Sequence, residues 1–161
     1  MLLAGAIDGL HFARVGGELR GTLGLDLLPR LAQTPCKTSG FSYFLRGGLN
    51  PAGKASIEVK VTGSLELVCQ RCLEPIVFEV DVDVNLELCA DLDVIAGAED
   101  EVDRVLAESE MSVSGLVEDE LILVLPQIPR HKNCGVEKLL AQPRKASPFG
   151  VLASLKKRDD R

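Results

Sequence analysis

From Ile76 to Leu88 the apolar residues Ile76, Phe78, Val80, Val82, Val84, Leu86 and Leu88 occupy every second position without a break. Val77, Glu79, Asp81, Asp83, Asn85 and Glu87 lie between them. A helix would scatter this set around its circumference, whereas an extended chain puts all of it on one face. One buried face beside one wet face predicts an antiparallel sheet. The preceding segment repeats the pattern, with Ile57, Val59, Val61, Leu65 and Leu67 set against Glu58, Lys60, Thr62, Ser64 and Glu66. Gly63 takes an inward position and predicts a bulge or bend. Gln70 to Pro75 then forms the connection of a hairpin. Both runs exceed the usual ~5–6 residues, which predicts strong twist and barrel-like curling.

Phe41, Tyr43 and Leu45 predict a third strand, closed by Gly47-Gly48 and the turn-prone Asn50-Pro51. Leu19, Leu23 and Leu25 predict a weaker fourth. Asp26 is placed to cap a short helix over Leu27 to Gln33, with Pro29 in its first turn. Cys89 to Met111 is acidic and irregular and predicts a mobile surface loop with its tip at Ala96 to Glu101. Ser112 or Ser114 then caps a helix reaching about Leu125, with Val113, Leu116, Val117, Leu121 and Val124 on one face. Glu118, Asp119 and Glu120 fall nearer its positive N-terminal end. Ser147 and Pro148 predict the start of a last helix, Phe149 to Lys157. The expected fold is therefore α+β: a strongly twisted, barrel-like antiparallel sheet with a packed helix and a C-terminal helix. Residues 1–143 make one domain with an acidic loop near 90–111, and residues 144–161 make a basic tail.

Charge is segregated along this layout. Residues 1–75 carry +2, residues 76–143 carry −12 and residues 144–161 carry +4, within a net −6. The middle repels a phosphate backbone and the tail attracts one. Arg144, Lys145, Lys156, Lys157 and Arg158 are thus the candidate RNA contacts, against the plainer reading of a solvated tail. Phe149 alone interleaves with them, so base stacking is not indicated. No apolar run approaches the ~20 residues of a membrane helix, and Met1 to Ile7 has no basic region typical of a leader. Five cysteines, an odd number, argue for a reducing compartment over a disulfide framework. The cytoplasm is expected.

Four residues carry the metal chemistry. Cys69-Gln70-Arg71-Cys72 ends the first long strand, and His131-Lys132-Asn133-Cys134 follows the helix that Pro126 stops. In each, two metal-competent side chains stand three positions apart, a spacing at which one turn directs both to one ion. Together they would make a tetrahedral Cys3His zinc site. Cys69 is also in phase with the inward set of its strand, so a buried filler with Cys72 in the turn by chance stays open beside the zinc reading. A redox dithiol is disfavoured, because a lowered thiol pKa usually needs a helix N-terminus, and a strand follows Cys72. Cys36 and Cys89 read as core fillers, and His11 is isolated. Phosphate loops, nucleophilic triads and paired catalytic carboxylates are not recognisable. An enzyme is not expected.

Three ordered segments carry a resemblance: Val68-Cys69-Gln70-Arg71-Cys72-Leu73-Glu74-Pro75, then Val117 to Pro126 running into Pro129-Arg130-His131, then Ser147-Pro148-Phe149-Gly150-Val151-Leu152-Ala153-Ser154-Leu155-Lys156. With them the chain resembles the YceD family, the large ribosomal RNA subunit accumulation proteins, over nearly its whole length. Phe12-Ala13-Arg14 and Leu28-Pro29-Arg30-Leu31 are similar to its proteobacterial branch. The resemblance implies a non-enzymatic bacterial factor for accumulation of 23S ribosomal RNA, contacting precursor RNA or an early pre-50S particle. Some relatives carry further cysteine pairs after the helix; this chain has only His131 and Cys134 there. The alternative is an acidic protein-binding module, a holdase for one basic ribosomal protein without direct RNA contact.

Overall fold

The computed structural model describes residues 5–134. The expected last helix over 149–157 and the tail lie outside them. The two alternating runs are strands β4 (Ala55–Val68) and β5 (Pro75–Cys89), paired antiparallel from Ser56↔Glu87 to Val68↔Pro75 without a slip. Their inward residues Ile57, Val59, Val61, Leu65, Val80, Val82 and Leu86 are buried in the core, which fixes the register, because a one-residue shift would turn the whole set to solvent. Gly63 makes no bulge. It sits in the continuous ladder between Phe41 and Val80, and a Cβ there would stand 2.7 Å from the Phe41 ring. The glycine makes room for the aromatic residue.

Strand β3 (Phe41–Leu49) pairs with β4, and β2 (Glu18–Leu23) pairs with β3. Contrary to expectation, Gly47-Gly48 does not close β3 but lies within it. Helix α1 (Gly9–Arg14), capped by the Asp8 carboxylate accepting from the His11 amide at 2.8 Å, lies against this point. Gly47 donates to the Gly17 carbonyl at 2.8 Å, and a Cβ at Gly47 would collide with the Phe12 carbonyl. The chain turns later, where the Asn50 side chain accepts from the Ala52 and Lys54 amides. Leu25 leaves the fourth strand early. The short helix expected over Leu27 to Gln33 is instead two 3-10 turns, Leu25–Leu27 and Leu31–Gln33, and Asp26 lies inside the first rather than capping. Pro29 separates them, since it disfavours helical geometry at the residue before it.

The acidic segment is more ordered than an irregular loop. It holds helix α2 (Leu92–Ala96), strand β6 (Arg104–Leu106) and strand β7 (Met111–Ser112). Strand β6 pairs parallel with Glu87–Cys89, while β7 pairs with β1 (Ala6–Ile7) in a separate two-stranded sheet. The main sheet has the order β2-β3-β4-β5-β6. It is therefore mixed at one margin and open, not closed into a barrel: β2 and β6 remain edges. Arg104 enters β6 because Glu87, only 3% exposed, needs cations. Glu87 accepts from Lys54 at 2.8 Å, Asn50 at 2.9 Å and Arg104 at 3.2 Å. Lys54 foremost, against burial, lowers its pKa.

Helix α3 (Val113–Val124) starts at Ser112, whose hydroxyl accepts from the Gly115 amide at 3.1 Å. Val113, Leu116, Val117 and Leu121 are buried in the same core as the β4–β5 hairpin, as the periodicity predicts. Leu123 is 77% exposed on the opposite side.

Candidate metal centre

The hairpin tip is shaped by its backbone. Cys69 donates to the Glu74 carbonyl at 3.0 Å, and Leu73 donates to the Cys69 carbonyl at 2.9 Å. Leu73 adopts φ 61°, the left-handed region that non-glycine residues seldom occupy. This sharp reversal directs the Cys69 and Cys72 sulfurs to one side. After α3, the chain from Pro126 returns to the same tip, and the Gln70 amide donates to the Pro129 carbonyl at 2.8 Å. That bond sets His131 and Cys134 opposite the two cysteines.

All four ligand atoms lie within 4.8 Å of one another. The Cys69 and Cys134 sulfurs are 3.4 Å apart, and His131 Nδ1 is 3.3 Å from Cys72 Sγ and 3.7 Å from Cys134 Sγ. A zinc–sulfur bond of ~2.3 Å implies a tetrahedral edge of about 3.8 Å, so the cluster has the size of a zinc site. His131 Nε2 is 3.0 Å from the Pro75 carbonyl. A carbonyl can only accept, so Nε2 carries the proton and Nδ1 faces the sulfurs with its lone pair free. Metal-binding histidines are oriented by such an outer hydrogen bond. All five cysteines are free thiols.

The electrostatics agree. Burial pushes the Cys69 thiol up, but amide donors at Cys72, Arg71 and His131, with the Cys134 thiol, outweigh it and bring the pKa down to about 5. Cys134 is pushed up to about 11 by burial and by Cys69 and Cys72 beside it. The protein thus supports one thiolate and resists the next. A divalent cation at the centre removes that resistance, because thiolate is the ligand form. The donor set fits zinc: soft sulfur with one imidazole, four ligands and tetrahedral size. A chance turn cysteine accounts for Cys72 alone, but not for an imidazole presented to it with the correct tautomer.

Arg144, Lys145, Lys156, Lys157 and Arg158 lie outside the described residues. A second polar centre escaped the sequence reading. Glu118, 2% exposed, accepts from the Arg30 amide at 2.7 Å, the Leu31 amide at 3.0 Å and Arg30 Nε at 2.9 Å. Asp119 takes Arg30 Nη1 at 2.5 Å. Burial raises the Glu118 pKa, but the Leu31 amide and Arg30 outweigh it and hold the carboxyl below its usual range. The signal available was an acidic residue next to the apolar stripe of α3; its partner lay 88 positions away.

An α+β protein whose hairpin tip is joined to the segment after its helix by a Cys3His ligand set is the class that fold and site define. Residues 57–156 match the family described as "Large ribosomal RNA subunit accumulation protein YceD". A relative from Haemophilus influenzae (strain ATCC 51907 / DSM 11121 / KW20 / Rd) bears the name Large ribosomal RNA subunit accumulation protein YceD. It is 30% identical over 168 residues, covering 94% of this chain and 95% of its own length. The chain belongs to the YceD family. No solved structure matches it. Among the described residues no helix is long and apolar enough to cross a membrane.

Proposed function

We propose that this chain is a non-enzymatic cytoplasmic factor in assembly of the large ribosomal subunit, acting on precursor 23S ribosomal RNA or an early pre-50S particle. The observation that carries the reading is family membership, with a relative aligned over 94% of the chain whose name states accumulation of large-subunit RNA. The cluster of Cys69, Cys72, His131 and Cys134 holds zinc in a structural role. All four positions are filled by protein ligands, which leaves no open position for substrate or water. The basic tail, Arg144, Lys145, Lys156, Lys157 and Arg158, contacts phosphates, while the acidic body faces a basic ribosomal protein. The charge segregation supports this division, since residues 76–143 carry −12 and residues 144–161 carry +4.

The test is sedimentation of the protein with defined pre-50S particles, followed by crosslinking and a salt titration. Direct RNA contact through the tail predicts log affinity falling by about 0.7–0.9 per phosphate neutralised, against log salt. Association that survives nuclease treatment with a shallow salt dependence favours the holdase reading, which rests on the same acidic body.

A further inference from the structure

Strand β5 has 15 residues, but β6 covers only Glu87 to Cys89. The direction of its backbone groups is fixed at both ends. Glu87 donates to the Asp103 carbonyl and Cys89 accepts from the Ala107 amide on the β6 side, while the Pro75 carbonyl meets His131. Odd-numbered residues therefore turn their N–H and C=O groups away from β4. Between these two ends, the groups of Val77, Glu79, Asp81, Asp83 and Asn85 have no backbone partner among the described residues. Among the described residues this is a free sheet edge, and such an edge is a template for another strand.

A cleft of about 500 Å³ opens along that edge, lined by Asp81, Asp83, Asp103, Glu120, Leu123 and Val124 among others. Glu120 is 8% exposed and has neither a hydrogen bond nor an ion pair among the described residues, although it lines the cleft. Arg104 also lines it, but is committed to Glu87 and Asp100. Asp83 is shared with Lys60 at 3.0 Å on the outer face. Asp81 and Asp103 have no ion-pair partner among the described residues. The last turn of α3 adds its carbonyl end, which favours cations. The carboxylates do not form a metal cluster; the only such group among the described residues is the cysteine–histidine set. The cleft thus combines spread-out negative charge, apolar wall and unpaired backbone, and it repels nucleic acid.

We propose that this cleft docks an extended, lysine- or arginine-bearing segment of a partner protein, which adds as a strand to the free edge of β5. Its cationic heads meet Glu120 and Asp103, and its aliphatic stems lie on Leu123 and Val124. The inference rests on the assembly reading above and gives its basic protein partner a place.

The probe is a fluorescein-labelled peptide of alternating lysine and valine, titrated against the full chain by anisotropy. A second copy is N-methylated on alternate amides, which keeps its charge but removes the ladder donors on one edge. Binding of the first peptide, loss of binding on N-methylation, and at least tenfold weakening by Glu120→Gln and by Asp103→Asn support the proposal. Slower amide exchange at Glu79, Asp81 and Asp83 in the complex supports strand addition. Equal binding of the two peptides, or none, overturns it. If the peptide binds only after Arg144, Lys145, Lys156, Lys157 and Arg158 are reversed to Glu, the occupant is this chain's own tail and the partner reading falls. Melting of Glu120→Gln and Asp103→Asn is measured alongside, and the exposed Asp103 keeps the test valid should the first variant fold poorly. Weaker pre-50S association of both variants supports the link to assembly. Unchanged association overturns the docking proposal and leaves the assembly reading standing.

Discussion

Replacing Glu118 by alanine removes the acceptor of three N–H groups at once. The Leu31 amide is buried and has no route to water, so its orphaning costs about 1–3 kcal/mol. The Arg30 amide is partly buried and recovers some solvation, which places its loss nearer 1 kcal/mol. The half-exposed guanidinium keeps Asp119 and contributes at most about 1 kcal/mol. Together these predict a loss of about 2–5 kcal/mol, a large share of the ~5–15 kcal/mol typical of a domain. At roughly 2–4 °C per kcal/mol for a chain of this size, melting falls by about 4–20 °C. Asp119→Ala, on an exposed side chain, should cost no more than ~1 kcal/mol. Glu118→Gln should fall between, because the amide keeps one acceptor oxygen but turns its NH2 toward a donor. The chain has no tryptophan and one tyrosine, so urea unfolding is followed by circular dichroism. The pH dependence has a definite sign. A carboxyl whose folded pKa is depressed stabilises above its unfolded value, ~4.3, and that stability is lost as pH falls through the lower folded value. Glu118→Gln should flatten the stability profile in that acid window. An alanine variant within 1 kcal/mol of the parent would refute the argument, and so would an unchanged acid profile for glutamine.

A chelator should lower the melting temperature and zinc, but not magnesium, should restore it; zinc at 1,000 times its Kd adds about 4 kcal/mol to the folded state. Cys72→Ser should abolish that zinc response, and melting that is indifferent to chelation would leave the cluster a packed turn. Reversing Arg144, Lys145, Lys156, Lys157 and Arg158 to Glu should weaken pre-50S association with melting nearly unchanged; unchanged association would remove the tail as the RNA anchor. Gly47→Ala should destabilise by about 1–3 kcal/mol, since its methyl meets the rigid Phe12 backbone, and a neutral result would mean that α1 shifts freely on the sheet.

Legibility followed the range of the interaction. The β4–β5 pairing and the buried face of α3 are written as local periodicities, and both stand where the alternation of Ile76 to Leu88 and the spacing of Val113 to Leu121 put them. Strands of two or three residues, such as Arg104–Leu106 and Met111–Ser112, have no period to read. Their place depends on partners far along the chain: Ile7 for Met111, and Glu87 for Arg104. Gly47 read as a stop because glycine serves both turns and close approaches, and only the position of Phe12 decides between them. The metal candidates were legible as two pairs of side chains. Their meeting depends on the Gln70–Pro129 backbone bond and the contact of the His131 ring with the Pro75 carbonyl, and neither carbonyl partner is marked by its residue type. Glu118 and Arg30 were visible singly and invisible as a pair.

The strands β3, β4 and β5 join neighbours in sequence, so they zip up by short loop closures that cost little entropy. The segment from Met111 to Cys134 is different. It is held by three distant clasps: β1 with β7, Arg30 with Glu118, and the hairpin tip with His131 and Cys134. Each clasp spans most of the sheet's own length in sequence, and together they fasten one detachable unit. That unit behaves as the last foldon to dock and the first to lift. When it lifts, the apolar face of β4 and β5 under α3 meets water, and the amides of α3 exchange together well before those of β4.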